Sequence, residues 1–158
     1  MRVVDTRKTT PLHRLWERAA VRHGGAYNHR FALFDGVLIK ENHIMAAGGL
    51  RSAIQRAKRQ RHHLMGIQVE VETLEQLREA LALGVDAVLL DNMSDEELQE
   101  AARICSGRAR SEASGNLDAT RIQRLARYKD RPDQVSVGGL IHQARWVDLS
   151  LRLTQGED

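Results

Sequence analysis

Lysine is scarce in this chain. Only Lys8, Lys40, Lys58 and Lys129 are present among 24 cationic residues. Proline is scarcer, with Pro11 and Pro132 alone. The single cysteine, Cys105, excludes an internal disulfide and suits a reducing compartment. Its neighbours carry no nucleophile signature. No apolar run approaches the roughly 18–20 residues that cross a membrane. The opening MRVVDTRKTT lacks the apolar stretch of a secretory signal. A cytoplasmic protein without membrane contact is therefore expected. A large excess of one charge is also missing, since 24 basic and 21 acidic residues leave +3. A nucleic-acid binder concentrates its charge. The densest basic cluster, RSAIQRAKRQRHH at 51–63, reads as a solvated helix face whose last cations suit the helix dipole. No nucleic-acid partner is expected.

What is present is ordinary globular composition: 158 residues, 42% hydrophobic and 28% charged. One domain over 1–153 with a frayed tail at 154–158 is expected. Apolar, β-branched runs alternate with helical patterns. Strands are predicted at 2–6, 36–40, 64–71, 87–91, 108–114 and 134–139, the fifth being polar and the weakest pattern. Residues 11–23 place Leu12, Leu15, Trp16, Ala19 and Ala20 at helical spacing. The basic segment 50–62 is a second helix. Thr73 with Gln76 makes a capping box opening 74–83, and Gly84 closes it. Ser94 is an N-cap followed by Asp95, Glu96 and Glu97, which suit the positive end of a helix. A last helix is predicted over 118–128. Repetition of βα units implies a parallel sheet with outer helices, either doubly wound or a barrel.

In βα folds, ligands sit at the carboxyl ends of the strands. Those ends carry Thr6, Arg7 and Lys8; Lys40; Glu70; Asp91; Glu112, Ser114, Gly115 and Asn116; and Ser136, Val137, Gly138 and Gly139. GVLIK drives an apolar strand straight into the ammonium of Lys40. Such a group needs an anionic partner, either Glu70 or Asp91 internally or a bound anion. Arg7 and Lys8 would still lack partners. Two glycine-bearing turns, at 114–116 and 137–139, let backbone N–H groups approach an anion. Glu70 and Asp91 could hold sugar hydroxyls or a Mg²⁺ ion carrying phosphate oxygens, or pair with the lysines. Together these residues fit a phosphorylated sugar and further anions, without choosing a reaction. His29 and Arg30, in a loop before the second strand, read as surface residues on spacing alone.

DTRKTTP (5–11), GGAYNHR (24–30), DGVLIKENH (35–43), VEVETLEQL (69–77), VLLDNMS (88–94), EASGN (112–116) and SVGGLIHQARWVDLSL (136–151) resemble the quinolinate phosphoribosyltransferases. These enzymes are also called carboxylating nicotinate-nucleotide pyrophosphorylases. The resemblance implies an α/β barrel and a reaction: quinolinate and phosphoribosyl pyrophosphate give nicotinate mononucleotide, pyrophosphate and CO₂, with Mg²⁺. It implies that Arg7, Lys8, His29, Arg30 and Lys40 grip the quinolinate carboxylates and the pyrophosphate. Thr6 and His142 are implied as neighbouring site residues. Glu70 and Asp91 are implied to bind the ribose hydroxyls and metal, with Lys8, Lys40, Glu70 and Asp91 closest to the chemistry. Ser114 to Asn116 and Val137 to Gly139 are implied as 5′-phosphate loops.

Three residues depart from the family pattern. Leu12 and Asn116 stand where glycine is usual, and Gln68 replaces a frequent glutamate. Family members also carry an N-terminal α/β domain and the opening part of the barrel ahead of DTRKT. That domain covers the active site of a partner subunit and supplies an arginine to it. Here Met1 lies four residues before Asp5, so an incomplete barrel is expected, with homodimerisation, a higher oligomer or a partner chain covering it. Four readings follow: a catalytic domain, a binding-only or inactive fragment of the enzyme, a related barrel with another ligand, and a nucleic-acid binder.

Overall fold

The computed structural model describes residues 1–153. The expected tail at 154–158 lies outside the described residues. Six parallel strands form one sheet: β1 (Arg2–Val4), β2 (Val37–Ile39), β3 (Ile67–Val71), β4 (Ala87–Asp91), β5 (Arg110–Ser114) and β6 (Gln134–Ser136), ordered β1-β6-β5-β4-β3-β2. The helices are α1 (Arg14–His23), α2 (Glu41–Ala47), α3 (Leu50–Gln60), α4 (Leu74–Ala82), α5 (Asp95–Cys105), α6 (Ala119–Ala126) and the short α7 (Gly139–His142). Strands β1 and β2 are consecutive in the chain yet lie at opposite edges. The sheet therefore stays open between them, as expected of an incomplete barrel.

Strict alternation in β3 explains the layering. Ile67, Val69 and Val71 are buried, whereas Gln68 and Glu70 are half-buried on the other face. The buried set joins Val88 and Leu90 of β4, Ala113 and Val135 in one apolar cluster with Ile54, Leu77, Leu98 and Leu125 from α3 to α6. Consecutive helices α3, α4 and α5 touch one another, so they form a single layer on one face. The opposite face is left to the polar residues together with Leu38 and Leu89. A doubly wound sheet, with helices on both faces, is thus excluded.

The N-caps form at both expected positions, but the box at Thr73 is half made, since Gln76 Oε1 accepts from the Glu72 amide rather than from that of Thr73. Thr73 accepts from the Gln76 amide, and Ser94 and Glu97 make a reciprocal capping box. The sequence pattern failed for α1. Its apolar positions face outward, Trp16 being 73% and Leu15 62% exposed, and Leu12, expected in the helix, lies in the turn before it at 99% exposed. The buried residues of α1 are Arg18 and Val21. Arg18 is drawn inward by Asp5, which is fully buried on the loop after β1. Helices α2 and α7, just after strands β2 and β6, were not predicted. Every strand but β4 is shorter than expected, the third and sixth by the most, and Gly138 and Gly139 belong to α7 and its cap.

Candidate active site

Each strand ends in a loop at the same edge of the sheet, and those loops surround a cleft of about 780 Å³. Thr6, Arg7 and Lys8 enter it from the turn after β1, and His29 and Arg30 from the loop before β2. Lys40, Glu70 and Asp91 follow from β2, β3 and β4. Ser114, Gly115 and Asn116 close one side; Val137, Gly138, Gly139 and His142 close another. Every residue singled out from the sequence therefore lines one cavity, including His29 and Arg30, which spacing alone left on the surface.

Buried polar bonds hold these side chains. Asp5 accepts from Arg18 Nη1 (3.1 Å), Asn28 Nδ2 (2.7 Å) and the His29 amide (2.7 Å). Arg18 also donates to the carbonyls of His29 and Arg30. The aspartate of DTRKT is thus a structural anchor that fastens the 28–30 segment beside β1. Arg14 donates to Thr9 Oγ1 and to the carbonyls of Arg7 and Phe31, pinning the turn that presents Arg7 and Lys8.

Charge in the cleft is uneven. Lys40 Nζ lies 2.6 Å from Glu70 Oε2. Burial pushes the Glu70 carboxyl up from its ordinary range; Lys40 opposes this and Asp91 adds to it. Among the described residues, Arg7, Lys8 and Arg30 form no ion pair. Burial, and then the charge of Arg7, lower the Arg30 pKa. Cations held together without counter-charges form a receptor for an anion. The Asp91 carboxylate accepts from Asn92 Nδ2 at 2.8 Å, which fixes its orientation.

The turn at 114–116 leaves no room for a side chain at its central residue. Gly115 has φ +94°, and a Cβ there would lie 2.2 Å from Asn92 Oδ1. Asn116 adopts φ +48°, the left-handed region that asparagine tolerates better than most residues. Its place in the turn is thereby kept. At Gly138 a Cβ would meet His142 Nε2 at 2.7 Å. Backbone can come close to a ligand at both turns.

Glu112 escaped the sequence-based selection as a site residue, although it was noted at a strand end. It lines the cleft and is 1% exposed. Its signal was the polarity of RSEAS, which instead marked that strand as weak. Gln68, the departure from the family pattern, donates to Glu112 Oε2 at 2.9 Å.

The family model described as quinolinate phosphoribosyl transferase, C-terminal domain, matches residues 1–152. The chain belongs to this family. A Bacillus subtilis relative of the phosphoribosyl transferase, named a probable nicotinate-nucleotide pyrophosphorylase (carboxylating), is 40% identical over 155 residues. That match covers 98% of this chain and 53% of the relative. The chloroplastic nicotinate-nucleotide pyrophosphorylase (carboxylating) of Arabidopsis thaliana is 36% identical over 169 residues, covering 96% and 48%. The crystal structure of NadC from Streptococcus pyogenes superposes with a TM-score of 0.89 at 46% identity, covering 96% of this chain and 53% of that one. The chain thus spans about half the length of these phosphoribosyl transferase relatives. Among the described residues no helix is long and apolar enough to cross a membrane.

Proposed function

We propose that this chain carries the reaction centre of carboxylating phosphoribosyl transfer in NAD biosynthesis: quinolinate plus phosphoribosyl pyrophosphate to nicotinate mononucleotide, pyrophosphate and CO₂. One observation carries the reading: Arg7, Lys8 and Arg30, cations without ion-pair partners among the described residues, share a single cleft with the Glu70–Asp91 carboxylates and two glycine turns. The turns at 114–116 and 137–139 cradle the 5′-phosphate. Arg7, Lys8, Arg30 and Lys40 take up the pyrophosphate and the two pyridine carboxylates. Glu70 and Asp91 face the ribose.

The chemistry follows from this layout. The pyridine nitrogen bonds to the anomeric carbon while the bond from that carbon to the pyrophosphate oxygen breaks. Positive charge develops on the ribose, and the carboxylates stabilise it. The cations hold the departing pyrophosphate and align the nitrogen. The alkylated pyridinium then withdraws electrons, so the bond to the adjacent carboxylate breaks and CO₂ leaves. The electron pair stays on the ring carbon, stabilised by the cations, and a proton from water completes the product. No enzyme nucleophile is needed. Cys105 lies buried, and burial pushes its thiol up to about 11.

Among the described residues no group of three or more His, Cys, Asp or Glu side chains converges on a metal position. Two carboxylates completed by substrate oxygens are nevertheless the set that Mg²⁺ ordinarily takes. Glu70 and Asp91 would hold it, and it would neutralise charge on the pyrophosphate.

The chain is proposed to work as a homodimer or higher oligomer. A turnover assay of the purified chain tests the reading by following quinolinate loss and nicotinate mononucleotide gain. Binding of both substrates without turnover would favour a binding-only fragment, a reading supported by the half-length match. Failure to bind either substrate would end both.

A further inference from the structure

Only two buried side-chain polar atoms lack a partner among the described residues: Arg7 Nε and Glu112 Oε1. Both residues line the cleft. Unpaired buried groups cost stability and call for an explanation at the site that keeps them. A shallower cavity of about 460 Å³ lies at the amino ends of β5 and β6, but its Asp133 is already engaged with Ser111.

Glu112 is the more informative of the two atoms. Its other oxygen, Oε2, gathers three partners from three parts of the chain: His29 Nε2 at 3.2 Å, Gln68 Nε2 at 2.9 Å and Gln134 Nε2 at 2.5 Å. On the far side of the imidazole, the Arg30 amide donates to His29 Nδ1 at 2.8 Å. A backbone amide can only donate, so Nδ1 is the acceptor and the ring proton sits on Nε2, aimed at Glu112. The residue that receives this order is Arg30. Its amide is tied to the ring, its carbonyl to Arg18, and its Nη1 to the Gly36 carbonyl at 2.8 Å.

We propose that Glu112 is the positioning residue for the dicarboxylate end of the cleft, acting through the His29 ring to set Arg30. The proposal rests on the functional reading above for the identity of the ligand, but not for the positioning itself. Glu112 holds one imidazole tautomer, and that tautomer fastens the amide of the residue whose guanidinium meets the ligand carboxylate. Its Oε1 remains available as an acceptor. A pyridine dicarboxylate offers no N–H or O–H to it, so water is the group that can satisfy it. The anion at the cleft floor also limits the acidity that a ligand can carry inward, since a further carboxylate there would meet like charge.

The test uses the full chain labelled with ¹⁵N in histidine rings, as wild type, Glu112→Gln, Glu112→Asp and Glu112→Ala. Ring spectra report the His29 tautomer, and calorimetry gives Kd for quinolinate and separately for ribose 5-phosphate. Wild type should show one tautomer, protonated on Nε2. Glu112→Gln retains an oxygen acceptor, so it should keep that tautomer and a quinolinate Kd within about threefold. Glu112→Ala should mix the tautomers and weaken quinolinate at least about tenfold, while ribose 5-phosphate moves less than about twofold. Glu112→Asp withdraws the carboxylate by one methylene and should follow Ala in direction, which covers an Ala variant that does not fold. Unaltered ring signals in Ala or Asp overturn the proposal, as do equal losses for both ligands. If wild type binds no quinolinate, the functional reading fails, and the ring spectra of the variants still decide the positioning.

Discussion

Leu12 shows how much one side chain can contradict its backbone. It adopts φ +67° and is 99% exposed, so it makes no packing contact that would repay a left-handed conformation. Such a conformation costs an L-residue roughly 1–2 kcal/mol, part of which glycine returns as greater freedom in the unfolded chain. Leu12→Gly should therefore stabilise the fold by about 0.5–1 kcal/mol, seen as a Tm rise on the order of 1–4 °C. An unchanged or lower Tm would refute that account. Gly115 is the opposite case. Its φ of +94° and a Cβ position 2.2 Å from Asn92 Oδ1 mean that Gly115→Ala must displace the turn. Ribose 5-phosphate affinity should fall at least about tenfold in this variant, because the loop is misplaced by something near 1 Å; calorimetry on the folded variant checks it. Both positions stood out in the sequence, one as a missing glycine and one as a glycine after a strand. Arg18 did not. Hydrophobic spacing reveals a stripe on a helix but not which side is buried, and here Asp5 buries an arginine while Leu15 and Trp16 face out.

At the level of elements, β4 was legible to the residue because AVLL is apolar throughout and its Val88, Leu89 and Leu90 are buried on both faces. The central position of β5 was not. Its polarity argued against a strand, yet Ser111 and Glu112 are buried and bonded to Asp133, His29, Gln68 and Gln134. Satisfaction of those groups comes from residues more than 20 positions away in sequence, which local pattern cannot show. The same holds for α5 and α6. Asp95 opens α5, and its carboxylate takes Arg121 Nε at 2.8 Å and Arg124 Nε at 2.6 Å from α6. Burial alone would push this carboxyl up, but the two guanidiniums outweigh it and hold it below the usual aspartate range. A depressed folded pKa gives stability that is present above the unfolded value and lost as pH falls through the folded one. Asp95→Asn should thus cost about 1–2 kcal/mol at neutral pH. In denaturant titrations across pH, that gap to wild type should close below the ordinary carboxylate range. A gap that persists in acid would mean that the pair is not what joins the two helices.

For the whole molecule, the cleft and the open sheet are two consequences of one topology. Parallel βα units carry every strand end to the same edge, so the ligand groups converge whatever the exact element boundaries. The same repetition leaves β1 and β2 unpaired with each other, and it leaves α1 outside the helix layer that covers β3 to β5. The outward face of α1 carries Leu15 and Trp16, exposed by 62% and 73%, and Leu12 stands in the turn just before it at 99%. Apolar surface of this kind, gathered on one helix, marks an association site more often than free surface. A second copy of the chain can cover it isologously, each α1 burying the other. Sedimentation velocity should accordingly show reversible dimers whose fraction rises with protein concentration. The double variant Leu15→Glu/Trp16→Glu should sediment as a monomer over the same range, with quinolinate and ribose 5-phosphate affinities unchanged, since neither residue lines the cleft. At concentrations where wild type is monomeric the two Tm values should agree, because the replaced side chains are already solvated there. Dimerisation of the variant as strong as that of wild type would show that another surface joins the copies and that the face of α1 plays no part in it.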